Sequence, residues 1–237
     1  MKSVIDLRLG DCLDLMRTLP DASIDAVITD PPYIIKSANG VGFAGAREFY
    51  RGGDLDGMTD FDLSRYADEI ARITDQVVMF HSRDQIIQVA GFCIEKFGNY
   101  DLHFWHKVNA IPFTNNTWKS DVEYIALGWR KKKHARVNQS EKSKVFTSGI
   151  DTQNLHPTQK PLALMKKYIK VLDVRTVFDP FAGSGTTLIA AFELGRNAIG
   201  CEINPRYFEI AQRRIQAAQA QLMMQLEEVN EQLTVAE

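Results

Sequence analysis

The chain has 237 residues, 45% hydrophobic and 24% charged, with a formal net charge of −2. That length and balance suit one generous α/β core. They argue against a protein that coats nucleic acid by bulk charge, so any nucleic-acid contact must come from a local patch. Cys12, Cys93 and Cys201 form no Cys-x-x-Cys pair, and the five histidines show no metal-ligand spacing. A reduced, metal-free protein is expected. With no apolar leader core and no run of membrane-spanning length, a cytoplasmic location without a membrane partner is expected.

Residues 4–9 alternate apolar and polar as a strand, which stops at Gly10-Asp11 before a short helix from about residue 12 to 19. Asp11 at this turn suits a helix N-cap or a carboxylate accepting from a ligand amino group. After Pro20-Asp21, an apolar strand runs through Val27 and Ile28 into Asp30-Pro31-Pro32-Tyr33. The prolines fix φ and remove backbone donors, so the Asp30 carboxylate and the Pro31 carbonyl are left as an acceptor pair for an amino group. Tyr33 adds a flat face for stacking on a planar heterocycle. A Pro-stiffened turn would account for these four residues alone.

Residues 34–60 lose periodicity, hold six glycines and carry Arg47 and Arg51; a mobile loop that touches the substrate is expected. Helices are predicted over 62–74 and 86–97, and strands over 76–81, 102–107 and 122–129, the last two as an antiparallel pair at a sheet edge. Lys107, Asn115 and Asn116 are candidate nucleic-acid contacts, as are Lys131, Lys132, Lys133 and Arg136 in a basic run from Arg130. Residues from about 109 to 155 read as a recognition insert draped on a single domain.

The strand 176–178 leads into Asp179-Pro180-Phe181-Ala182-Gly183-Ser184-Gly185-Thr186-Thr187 and then a helix, a nucleotide-binding layout. It has neither the third glycine of a dinucleotide fingerprint nor the lysine of a P-loop. The next strand, 197–202, ends in Glu202, placed to take ribose hydroxyls. Asp179, the glycine turn and Glu202 describe a site for a nucleoside carrying a cationic group, and S-adenosylmethionine fits.

The chain resembles the β-class DNA amino-methyltransferases, which act on adenine N6 or cytosine N4. Residues 19–33, ending in Asp30-Pro31-Pro32-Tyr33, resemble the family's catalytic block, and residues 178–187 its cofactor block, in the order that defines the β class. His156-Pro157-Thr158-Gln159-Lys160-Pro161 resembles the segment that contacts the methionine moiety, and Gly10-Asp11-Cys12 the adenine-contacting turn. The resemblance implies a Rossmann-like α/β methyltransferase fold: a mostly parallel sheet with an antiparallel edge strand, helices on both faces and a recognition insert. It assigns Asp30, Pro31, Pro32 and Tyr33 to catalysis. It assigns Asp11, Cys12, Asp30, His156, Thr158, Lys160, Asp179, Phe181, Gly183, Ser184, Gly185, Thr186 and Glu202 to the cofactor, with S-adenosylhomocysteine as product. Site-specific adenine-N6 methylation of a flipped base in double-stranded DNA is the first reading, since Asp leads the tetrad. Cytosine N4 is the second, and a catalytically silent DNA-binding protein the third. From Pro205 to about residue 235, Phe208, Ala211, Ile215, Ala218, Leu222, Leu226, Val229 and Leu233 recur at helical steps. The first turns are expected on the sheet and the tail in a homo-oligomer, most simply a dimer.

Overall fold

The computed structural model describes residues 3–32, 61–110, 118–119, 121–131, 137–149 and 160–235. Within them, strands β1 (Ile5–Leu9), β2 (Ala26–Thr29), β3 (Gln76–His81), β4 (Tyr100–Lys107), β5 (Val122–Trp129), β6 (Val145–Ser148), β7 (Thr176–Asp179) and β8 (Asn197–Glu202) form one sheet. Their order is β1-β8-β7-β2-β3-β5-β4-β6. The expected mostly parallel sheet is present. β5 alone runs against the rest, antiparallel to both β3 and β4. It is not the outermost strand, because β4 and then β6, parallel to β4, extend the sheet beyond it.

Every residue of β2 and β3 is buried, as continuous apolar runs require when helices cover both faces of a parallel sheet. Alternate side chains divide between two cores. Val27, Val77, Met79 and Phe178 face helices α1 (Cys12–Thr18), α2 (Ser64–Ile73) and α3 (Ile86–Phe97). Ala26, Ile28, Val78, Phe80 and Val177 face α4 (Leu162–Val171) and α5 (Thr186–Glu193), with Ile215 of α6 (Pro205–Val235) joining them. Among the described residues no helix is long and apolar enough to cross a membrane.

Two elements were not among those predicted. α4 is a helix whose Leu164, Met165, Tyr168 and Ile169 are buried at helical spacing, and β6 lies inside the segment read as a recognition insert. The Trp105 indole donates to Ser148 Oγ at 2.9 Å, and Lys144 Nζ reaches Asp101 at 2.7 Å. β6 is thus held by backbone pairing and polar ties, so its four residues needed no apolar pattern of their own. The basic run also opens differently from the solvated or phosphate-bound face expected of it. Arg130 donates to Ala71 O at 2.6 Å, Thr74 O at 2.9 Å and Lys96 O at 3.0 Å, capping the carbonyl ends of α2 and α3.

Strands β8, β7, β2 and β3 are parallel, but chain order proceeds outward from β7 to β8 in one direction and from β2 to β3 in the other, so the order reverses between β7 and β2. That is where ligands settle in open α/β sheets, beyond the carboxyl ends of the strands. Close packing there relies on Gly200 in β8, where an added Cβ would lie 2.7 Å from Leu188 Cδ1 and 3.2 Å from Ala182 Cβ. Gly200→Ala should therefore cost about 1–3 kcal/mol in urea unfolding. Gly91→Ala, in α3 with nothing within 4 Å, should instead stabilise by roughly 0.5–1 kcal/mol.

Candidate active site

β7 ends in Asp179, which is only 3% exposed. Its Oδ1 accepts from Thr29 Oγ1 at 2.7 Å and from the Phe181 N–H at 3.1 Å. Burial pushes its pKa up to about 6, against the hydrogen bonds from Thr29, Thr187 and Phe181 and with some help from the charge of Asp30. The turn after it needs glycine at two places: Gly183 has φ +52° and Gly185 φ +79°. A Cβ on Gly183 would meet nothing nearer than Phe181 O at 3.9 Å, so this glycine looks onto open space. One on Gly185 would press on Ala211 Cβ at 3.2 Å, so this glycine lies under α6.

β8 ends in Glu202, whose carboxylate accepts from the Gly183 N–H and the Asn204 N–H, both at 2.8 Å. Burial raises its pKa in spite of those bonds. Beside it, β1 delivers Gly10, whose N–H donates to Glu202 O at 3.0 Å. Asp11 caps α1 by accepting from the Leu13 N–H at 2.8 Å. Burial, with the nearby Asp11 charge, keeps the Cys12 thiol protonated. The Phe181 ring packs edge-on against Phe61 and Tyr66, centroids 5.4 and 5.2 Å away.

On the other side of the reversal, Asp30 follows Thr29, with Pro31 buried behind it. Lys160 Nζ donates to Asp30 Oδ2 and lies 3.3 Å from Glu123 Oε2, while Lys107 Nζ lies 2.6 Å from Glu123 Oε1. The Lys160 side chain is 4% exposed and sits over the Phe80 ring at 5.4 Å. Burial opposes its charge, but the two carboxylates outweigh burial and raise its pKa. Burial likewise works against Glu123, but Lys160 and Lys107 hold its pKa down.

A family model described as DNA methylase, for N6 and N4 methyltransferases, matches residues 24–213, a span that contains Asp30, Lys160, Asp179 and Glu202. The chain belongs to this family of DNA amino-methyltransferases. The methylase is 28% identical over 248 residues to Type II methyltransferase M.HinfI of Haemophilus influenzae, covering 87% of this chain and 67% of that one. It is similar to the crystal structure of the M1.HpyAVI-SAM complex, with a TM-score of 0.66 and 28% identity over 89% of this chain and 100% of that one. It is also similar to the cytosine-N4-specific PvuII DNA methyltransferase, at a TM-score of 0.68 over 90% of this chain and 86% of that one. At 18% identity, the second structural likeness shows the fold alone.

The methylase fold thus brings Asp30, Pro31 and Pro32 beside Asp179, Phe181, the glycine turn, Glu202 and Asp11. It gives two expected contacts other duties. Lys160, read with the cofactor, sits against Asp30 and Glu123. Lys107, read as a DNA contact, has its ammonium on Glu123 and over the Trp105 ring at 5.2 Å. Lys131 is 82% exposed on its side chain, 3.9 Å from Asp75. Tyr33, Arg47, Arg51, Asn115, Asn116, Lys132, Lys133, Arg136, His156 and Thr158 lie outside the described residues, as does the expected loop 34–60.

Sequence reasoning missed three residues of this methylase site. Arg214 of α6 donates to Ser184 O, to Ser184 Oγ at 2.8 Å and to Thr186 Oγ1 at 3.2 Å, so a guanidinium braces the two hydroxyls expected at the cofactor. Its place between Ala211 and Ile215 on the buried stripe was the available signal. Glu123 was hidden in an alternating strand. His81, at the end of β3, is buried and stacked on Tyr124 at 5.8 Å, and its Nδ1 lies 2.9 Å from Ser82 O. Burial lowers its pKa and favours the neutral ring. No group of His, Cys, Asp and Glu suited to a metal ion occurs among the described residues.

Proposed function

We propose that this DNA amino-methyltransferase uses S-adenosylmethionine to methylate adenine N6 at a specific site in double-stranded DNA, on a base turned out of the helix. The observation that carries the reading is the placement of Asp30 and Asp179 at the ends of adjacent parallel strands, one for the amino group and one for the cofactor. The residues fit the cofactor. Asp179 and Glu202 are buried carboxylates whose charged forms burial disfavours, so a cationic, hydroxyl-bearing ligand relieves both. Gly183 leaves open space for it. When bound, S-adenosylmethionine supplies a methyl group activated by its sulfonium.

The chain's own task is to make a weak nucleophile attack. An exocyclic amine is delocalised into its ring. Hydrogen bonds from its two N–H groups to the Asp30 carboxylate and the Pro31 carbonyl turn the nitrogen lone pair out of the ring and aim it. Tyr33 stacks on the extruded base, and unstacking costs a few kcal/mol. Adenine is preferred to cytosine because the tetrad opens with Asp rather than Ser. The basic residues Lys131, Lys132, Lys133 and Arg136, with Arg47, Arg51, Asn115 and Asn116, are the proposed DNA contacts. Lys107 is left out of that set, since its ammonium is engaged by Glu123.

Digestion of enzyme-treated DNA to nucleosides tests the reaction. N6-methyldeoxyadenosine is the expected product. N4-methyldeoxycytidine would overturn the base assignment, and no methylated nucleoside would favour the silent DNA-binding reading. Asp30→Ala should abolish turnover and leave S-adenosylmethionine binding within about tenfold, roughly 1.4 kcal/mol.

A pH dependence follows from Asp179. With its pKa raised to about 6 from an ordinary value near 3.9, the folded chain binds the extra proton between those limits. The ligand-free chain therefore gains stability from this group as pH falls through that window. A cationic ligand favours the carboxylate, so affinity should weaken as pH drops below about 6. Binding near pH 6 should release a fraction of a proton, measurable by calorimetry in buffers of different ionisation heat. Asp179→Asn should reduce both the release and the pH dependence to the part that Glu202 contributes.

We also propose a homo-oligomer, most simply a dimer. α6 has 31 residues, about 46 Å at 1.5 Å per residue. Ala211 and Ile215 are its buried anchors, whereas Met223 and Met224 are exposed. Light scattering should give a dimer for the full chain and a smaller species after truncation at Ala217. A full-length monomer refutes the oligomer, and an unchanged oligomer after truncation refutes the role of the tail.

A further inference from the structure

Asp30 belongs to an ion chain that joins four segments of the fold: Asp30 after β2, Lys160 before α4, Glu123 in β5 and Lys107 at the end of β4. Signs alternate along it, and two cations balance two anions. Lys160 is the most deeply buried member, its side chain 4% exposed against 24% for Asp30, 18% for Glu123 and 14% for Lys107. A lysine so buried between two carboxylates is badly placed to meet a DNA phosphate. Its ammonium is held by Asp30 and Glu123. Buried ion pairs are often no more stabilising than apolar side chains of similar size, because desolvation offsets their attraction. Stability alone is therefore a weak reason for this arrangement, and a geometric duty is a better one. The ammonium meets Asp30 through Oδ2, which restricts rotation of the carboxylate about its Cβ–Cγ bond and fixes which edge it can present.

We propose that Lys160 and Glu123 are positioning residues for the methyl transfer: Lys160 holds the Asp30 carboxylate in one orientation and balances its charge, and Glu123, steadied by Lys107, holds Lys160. The inference rests on Asp30 being the acceptor of the target amino group. It gives Asp30 the character of an orienter, because a carboxylate already matched with an ammonium is a poor proton acceptor. It also makes the β4–β5 hairpin a structural support of the site rather than only a carrier of recognition residues.

Several charged groups share this surrounding and set the sign of the test. β7 presents Asp179, β5 presents Glu123, β4 presents Lys107, and β3 ends in His81, whose ring burial keeps neutral. Removing the Lys160 cation leaves Asp30 among negative neighbours, which favours its protonated form. Removing the Glu123 anion relieves repulsion on Asp30 and favours its carboxylate.

The experiment compares Lys160→Met, Lys160→Arg, Glu123→Gln and Asp30→Ala in the full chain, each confirmed as folded by circular dichroism and a cooperative thermal transition. The readouts are single-turnover methylation against pH, S-adenosylmethionine affinity by calorimetry, and the carbon-13 titration of the Asp30 carboxyl in ligand-free protein. Lys160→Met should lower the rate at least tenfold, keep cofactor affinity within about threefold, and move both the acid limb and the Asp30 midpoint to higher pH. Glu123→Gln should slow the reaction with the midpoint moved the other way, and Lys160→Arg should restore the midpoint by keeping the charge. An unmoved midpoint in Lys160→Met overturns the proposal, as does a loss of cofactor affinity as large as the loss of rate. If Lys160→Met does not fold, an unmoved midpoint in Glu123→Gln overturns it by itself. Turnover retained in Asp30→Ala would instead overturn the acceptor role on which the inference rests, so the two failures are distinguishable.

Discussion

The site depends on one constraint: β2 and β7, far apart in sequence, are hydrogen-bonded as parallel neighbours in a fixed register, Ala26 opposite Val177 and Val27 opposite Phe178. Parallel pairing puts the carboxyl ends of both strands on the same edge of the sheet, so Asp30 and Asp179 arrive together. The Thr29 hydroxyl bonded to Asp179 closes the gap between them without charge. A slip of one residue in either strand would turn every side chain to the opposite core and break up the pair. Full burial of β2 by helices on both faces is what forbids that slip.

Two carboxylates brought close at neighbouring strand ends repel, and the fold treats them differently. Asp179 is surrounded by neutral donors and sits in an environment that disfavours its charge, which makes it responsive to a cationic ligand. Asp30 has its own cation. Separating the two environments lets neighbouring carboxylates have different affinities for protons, and hence different tasks. Asp179, Thr29 and the Lys160 side chain are buried, which strengthens the hydrogen bond and the ion pair they make there.

Much of this was legible in the sequence. β3, β5, β8 and α3 have the expected limits because uninterrupted apolar runs or a left-handed glycine, Gly98 after α3, mark them in the residues themselves. The meeting of the two motif blocks was legible from their likeness to a family. β6 was not, because an edge strand held by Trp105–Ser148 and Lys144–Asp101 contacts has no apolar signature. The destinations of charge were also hidden. Lys107, Arg130, Lys160 and Arg214 are all basic residues turned inward onto carboxylates or carbonyls, and a charge in a sequence shows its sign but not its partner. Asp11 has the capping role that was one of its two readings, and that role leaves its carboxylate at the sheet edge beside Glu202.

The outer strand on the cofactor side has a further implication. β1 is hydrogen-bonded only to β8, from Ile5 opposite Ala198 to Leu9 opposite Glu202. β1 therefore has no sheet partner until nearly two hundred residues have followed it. Closing so long a loop is entropically unfavourable and offers no local contact in return, a pattern associated with slow folding. Until it closes, β8 remains an open edge and Gly10-Asp11 has no fixed position against Glu202. Assembly of this edge of the site is thus tied to β8, and a chain stalled before it would carry Asp30 without Glu202 to complete the neighbouring strand ends.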